Sequence, residues 1–345
     1  MLDIEKLVNA VQFNCHISDA QYAGNYSLCI FLLKMREYYR WEKRIPLSEN
    51  LAKSDVGEWL SRREGEWAEY EELEFQPLDI KEGQYDPFEA STVNDLLNPL
   101  GYVYSSGLGV FGKPHFFVGE LEEHQRVDGL HIYIANKELA RDLVAPPAMV
   151  IGDSIFIRKE SLRRFIWEKI EEWHWKSDQE TPMARALAHY KVSSVDMEKV
   201  LDAMCDNESR TAILHEIGEV KATDLLGPEW LEILNKLPHS GLELKLRAIK
   251  DHLADNISTL PALVESENLP ALHFYFANLT GMRKEIFPEA VAAYNNWLAS
   301  KNPAVLEALY TQGKEKWLDV ANQIKQTYLK DQEVITEHLE PIVNF

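Results

Sequence analysis

Residues 101–118 read GYVYSSGLGVFGKPHFFV, and their reading decides the fold. Gly107, Gly109 and Gly112 spell G-x-G-x-x-G, with Lys113 directly behind. If a helix opened there, its N-terminus would face a pyrophosphate and the chain would be a dinucleotide-binding α/β protein. The lead-in Gly101-Tyr102-Val103-Tyr104 suits a strand, but the exit does not suit a helix. Pro114 disfavours helical geometry at Lys113, and His115-Phe116-Phe117-Val118 reads as another strand. No βαβ unit of about 30 residues can be drawn, and the Walker spacing is absent as well. The stretch predicts a glycine-rich β-hairpin, with Gly107 and Gly109 supplying positive φ. No nicotinamide or flavin dinucleotide is expected.

Around this hairpin the pattern is β from Pro77 to about Arg158. Gly101–Tyr104, His115–Leu121, Leu130–Ala135, Met149–Ile151 and Ser154–Ile157 read as strands, with Gly152-Asp153 as a two-residue hairpin loop. Short connections predict antiparallel pairing. Phe88–Leu100 and Asn136–Val144 read as helices between strands. Upstream, Leu2–Phe13, Tyr26–Lys43 and Ser54–Leu73 read as helices, with Ser18-Asp19 as an N-cap. Downstream, Ser161–Trp175 is helical, Ser177–Pro182 is a polar linker, and the rest is helical with breaks at Gly227-Pro228, Pro238, Pro261, Pro270, Pro288 and Pro303. The expected class is α+β, mainly helical. Residues 1–176 would form one domain, with helices over 1–75, a small antiparallel sheet over about 80–160 and a closing helix over 161–175. Residues 183–345 would form an all-helical domain.

The 345 residues suffice for two or three domains, and 46% hydrophobic content supplies a core. The formal net charge of -20 opposes nucleic acid and anionic membranes as partners. The opening MLDIEKLVNA, with its early acids, does not read as a signal peptide. Leu28–Leu33, the longest apolar run near it, has six residues and cannot span a bilayer. Cys15, Cys29 and Cys205 are widely spaced, without C-x-x-C, which excludes thiolate zinc chemistry and points to a reducing cytoplasm. Cys15-His16 adjacency supports no catalytic couple, and Cys29 in its apolar run reads as core.

Chemistry concentrates in the helical half. His215 and Glu219 lie four apart in LHEIGE and share a helix face. The string approaches H-E-x-x-H, but Glu219 replaces the second histidine and removes the zinc-protease reading. Arg247, Asp251 and Asp255 follow one another at steps of four on the next long helix, with His252 beside them, and His273 begins a third. His215, Glu219, Asp251 and His273 would ligate non-haem iron or manganese, with Glu216, Arg247 and His252 around them. Against this, a helical wheel sets His215, Glu219, Arg247 and Asp251 opposite the apolar stripes, as two solvated faces with an Arg247–Asp251 pair. Gly218, costly inside a helix, implies instead that another backbone packs close there. In the β region His115, His124 and His131 offer a three-histidine site, against which strand-end exposure is the plainer reading. Tyr38, Tyr39, Arg40 and Trp41 would form a partner surface or, preferably, a helix packed on the β domain with its charges snorkelling.

Three stretches, CHISDAQYAGNYSLCIFLLKMREYYRWE at 15–42, ILHEIGE at 213–219 and LRAIKDHLADN at 246–256, carry a resemblance. The chain resembles a family of uncharacterised bacterial proteins with paired N- and C-terminal domains of unknown function. The resemblance implies a bacterial, cytoplasmic protein and carries no activity, cofactor or catalytic residue. Two functions remain. One is a non-catalytic binding or scaffold protein, using an interdomain cleft or the aromatic-basic helix, which the sequence slightly favours. The other is a metal-binding helical domain with oxidase or oxygenase chemistry as its expected activity, which burial and mutual distance of His215 and Asp251 would decide.

Overall fold

The computed structural model describes residues 2–109, 112–176, 180–190, 197–237, 240–330 and 335–343. The chain divides into two compact units, Met1–Trp167 and Glu168–Phe345. Among the described residues no helix is long and apolar enough to cross a membrane.

The first unit opens with α1 (Ile4–Tyr22), α2 (Leu28–Glu42) and α3 (Lys53–Tyr70). A small hairpin of β1 (Leu78–Ile80) and β2 (Gly83–Tyr85) and helix α4 (Ala90–Leu97) follow. Then come β3 (Tyr102–Leu108), β4 (Pro114–Val127), β5 (Leu130–Arg141), β6 (Ala148–Ile151) and β7 (Ser154–Arg158), in the spatial order β3-β4-β5-β7-β6. The G-x-G-x-x-G string is a hairpin, since Gly107 pairs with His115 and Leu108 with Pro114 across antiparallel strands. Its glycines act differently from expectation. Gly112, not Gly107 or Gly109, has positive φ (69°). Gly107 instead lies under Ile151, where a β-carbon would approach the side chain to 3.2 Å.

The sheet is mixed, not antiparallel. The Gly152-Asp153 hairpin puts β6 on the outer edge, so β7 returns beside β5 in parallel register, His131 opposite Ser154. The helix expected at Asn136–Val144 is the second half of β5. Its Lys, Glu, Leu, Ala and Arg favour helix locally, but pairing with β4 overrides that preference. Register shifts beside Gly119, Leu121 and Glu123 mark the bulges that bend this ladder. One sheet face, with Tyr104, Phe116, Val118 and Ala140, packs on Leu7, Val11 and Cys15 of α1 and Val93 and Leu97 of α4. The other carries Val103, Phe117, Tyr133, Ala135 and Phe156.

Ser18 and Asp19 do not cap a helix, because α1 runs through them. Their side chains serve tertiary contacts: Ser18 Oγ donates to the Pro114 carbonyl, and Asp19 accepts the Leu143 N–H and pairs with Lys113. Cys29 is exposed rather than core. Tyr38, Tyr39 and Arg40 are buried and Trp41 half-buried, so they form no open partner surface. Tyr38 accepts a hydrogen bond from Gln12 Nε2 (2.7 Å), and Arg40 donates to the Glu49 carbonyl (2.9 Å).

Helix α5 spans Lys159–Lys176. Beyond it, every described element is helical. They are α6 (Pro182–His189), α7 (Met197–Leu226), α8 (Pro228–Asn235), α9 (Gly241–Ala254), α10 (Leu260–Glu265), α11 (Leu269–Asn278), α12 (Gly281–Ile286), α13 (Pro288–Ser300), α14 (Ala304–Lys330) and α15 (Ile335–Val343). The core of this second unit holds Trp230, Leu246, Ile249, Leu253, Phe276, Trp317 and Ile324. Between α9 and α10, Asp255–Thr259 forms a π-turn. Pro261 lacks the N–H that would continue an α-helical ladder, and the widened turn accommodates it.

Candidate metal centre

Helix α7 presents His215, Glu216 and Glu219 toward α9 and the π-turn, which present Lys250, Asp251 and Asp255. The two helices meet on the faces that the wheel set outward. Gly218 is the reason. A β-carbon there would lie 2.5 Å from the Ala254 carbonyl oxygen, so only glycine lets the backbones approach this closely. Ser258 Oγ donates to the Leu214 carbonyl at 2.7 Å and fixes the same contact.

One donor atom each from His215, Glu219 and Asp251 lies within 4.8 Å of the others. Among the described residues this is the sole group of three such side chains close enough to share an ion. His215 Nδ1 faces Asp255 Oδ1 at 2.8 Å, which orients the ring and leaves Nε2 for the cluster. Asp255 is itself fixed. It pairs with Arg283, and Thr259 Oγ1 donates to it at 2.9 Å. Lys250 holds Glu219 Oε2 at 2.7 Å, while Glu219 Oε1 is buried without a hydrogen-bond partner. His215 keeps 31% of its side chain exposed, so the group is reachable.

The electrostatics follow from this crowding. Burial disfavours the charged form of Asp255, but Arg283 and then His215 outweigh it and hold the carboxyl well below its usual range. Burial also works against the His215 imidazolium, but Asp255, with help from Glu216 and Glu219, pushes its pKa up to about 10. Glu216 is pushed up to about 7, by burial first and by Glu219. Asp251 is raised chiefly by burial, against the pull of Arg283. The crowded carboxylates thus favour the charged form of His215.

The other expected residues lie elsewhere. His273 is apart from the cluster: its Nδ1 meets Tyr294 Oη at 2.9 Å, and its ring packs near His189 and Trp297. Arg247 pairs with Glu243 (2.7 Å), not with Asp251. His252 is buried, with Nε2 at 3.0 Å from the Arg283 carbonyl and its ring stacked on Trp317. Arg283 and Lys250 were not anticipated. Arg283 reaches Asp255 from α12 through tertiary packing alone, and Lys250 lies four residues from Leu246 and Ala254, on the apolar side of α9, so no spacing pointed to it.

The three strand histidines do not converge. Adjacent antiparallel strands begin at opposite ends of the ladder, so His115 at the start of β4 is remote in register from His131 at the start of β5. His115 is buried with Nε2 at 3.3 Å from Ser105 Oγ, whereas His124 Nε2 and His131 Nδ1 lie 3.0 Å apart.

No curated protein and no solved structure matches the chain. The family of unknown function DUF6866 matches it twice, its N-terminal domain over residues 6–158 and its C-terminal domain over residues 163–344. The chain therefore belongs to this family of unknown function, as a protein carrying both of its domains.

Proposed function

We propose that the helical unit binds a divalent metal ion through His215 Nε2, Glu219 and Asp251. The observation that carries this reading is the mutual approach of their donor atoms within 4.8 Å, with His215 already oriented by Asp255. One imidazole and two carboxylates suit iron or manganese better than a thiolate-loving ion. Three protein donors leave positions for water or substrate, the arrangement from which oxidase and oxygenase chemistry proceeds. His273 is dropped from the ligand set and Glu216 stands next to it. The competing reading is an all-protein ion network, favoured by the Lys250–Glu219 and Arg283–Asp255 pairs. A cytoplasmic placement goes with the proposal, in line with three cysteines that form no disulfide.

Elemental analysis by plasma mass spectrometry separates the two readings. Untagged protein purified without chelator, and reconstituted with iron(II) or manganese(II), is expected to hold close to one ion per chain. A His215→Ala/Glu219→Ala variant with native circular dichroism is expected to hold none. Equal metal in both proteins, or none in either after reconstitution, leaves the ion network as the explanation. A loaded protein would then be screened for oxygen consumption.

A further inference from the structure

Arg141, at the end of β5, and Arg158, at the end of β7, are each 1% exposed. Both grip one carboxylate, Glu138, with Arg141 Nη1 at 3.3 Å from Oε2 and Arg158 Nε at 3.1 Å from Oε1. Ser161 donates to the same Oε1. The remaining edges of both guanidiniums are unsatisfied: Arg141 Nε and Nη2 and Arg158 Nη1 and Nη2 are buried without an acceptor. Their faces cannot help, because they lie on aromatic rings. Arg158 stands 4.2 Å over Phe117, and Arg141 stands 4.8 Å over Trp41 and 5.5 Å over Tyr38.

The neighbourhood holds further unpartnered polar atoms. Trp41 Nε1, beside Arg141, and His115 Nδ1, two residues along β4 from Phe117, are also buried and unpartnered. The nearby carboxylates are committed elsewhere. Asp142 accepts the Ala145 N–H at 2.9 Å and faces Lys113, and Asp19 takes Lys113 and the Leu143 N–H. A buried donor left without an acceptor is costly, and more so when it is charged. Two planar forks share one carboxylate, and the free edge of each, without a protein acceptor, has the donor pattern by which arginine holds a second oxyanion in bidentate fashion.

We propose that the first unit holds a small oxyanion, a phosphate or carboxylate group, between Arg141 and Arg158. The site is independent of the metal centre. Its walls are fully buried, so the anion is enclosed and exchanges slowly, on the timescale of local opening.

The test needs no variant to begin. Protein purified in phosphate-free zwitterionic buffer is denatured, and the released anions are measured by ion chromatography and mass spectrometry. About one equivalent of phosphate or of a small carboxylate per chain supports the proposal, and which of the two appears identifies the source. In parallel, inorganic phosphate and acetate are titrated against the thermal midpoint of the intact protein. A saturable rise is expected, and it is expected to vanish in Arg158→Lys, which keeps the charge but not the fork. Should that variant fail to fold, the release measurement and a high-resolution map between the two guanidiniums still decide. Bridging waters or chloride in the map, together with no released oxyanion and no midpoint shift, overturn the proposal.

Discussion

Glu208, buried on α7 beside Tyr190 and Asn207, shows how far one side chain can set the pH response of a fold. Burial pushes its pKa up to about 8, with only Thr211 opposing. Between its ordinary value and about 8 the folded chain keeps a proton that the unfolded chain has lost. The stability this group contributes is therefore complete below the ordinary carboxylate range and is lost as pH rises through about 8. Each pKa unit corresponds to roughly 1.4 kcal/mol, so the effect is on the order of a few kcal/mol. Glu208→Gln, neutral and nearly isosteric, is expected to match wild type in thermal midpoint at pH 5 and to exceed it at pH 9. Parallel pH profiles for the two proteins would refute this assignment. Residues of this kind were invisible in the sequence, which shows charge but not burial. The candidate cluster was partly legible, because His215 and Glu219 lie four apart on one helix and Asp251 and Asp255 lie four apart further along the chain. The roles of Asp255 and Arg283 were not, since α12 meets the π-turn only after the helices have packed.

At the scale of elements, a single glycine told more than the wheel did. A wheel recognises one apolar stripe and assigns the opposite face to solvent. It has no means to recognise a second, polar seam closed by backbone contact, which is what joins α7 to α9. Gly218 was a signal of that seam, as were Ala222 and Leu226, apolar and buried on the face set outward. Replacing it with alanine improves helix propensity by roughly 1 kcal/mol. Yet the new methyl group would sit 2.5 Å from the Ala254 carbonyl oxygen, which cannot move without moving α9. Gly218→Ala is therefore expected to destabilise the protein by about 1–3 kcal/mol, as overpacking does, and to weaken metal uptake without touching a ligand. Denaturant unfolding and metal titration check both parts. A stabilised variant would mean that the helices are not held this close. The strands teach the complementary lesson. The hairpin at 101–118 was legible because Pro114 forbids the alternative locally. The second half of β5 was not, because its helix-forming residues are held as a strand by β4, and the parallel β5–β7 pair depends on where the β6 hairpin lands.

For the whole molecule, two separate cores carry two chemically opposite candidate sites. The helical unit gathers carboxylates around His215, and the first unit gathers guanidiniums around Glu138. A net charge of -20 draws cations to the surface and repels anions. A metal ion at the candidate centre would thus need no enclosure, while the proposed oxyanion would be retained only where arginines enclose it. The two ligands should then act on different parts of the unfolding profile, since a ligand stabilises the structure that binds it. Differential scanning calorimetry of the full chain is expected to depart from a single two-state transition. Manganese(II) is expected to raise the component that His215→Ala lowers or leaves unresponsive. Inorganic phosphate is expected to raise the other, the one altered by Arg158→Lys. One transition moved equally by both ligands would mean that the units unfold together, and the energetic independence inferred from their separate cores would be wrong even if both sites are occupied.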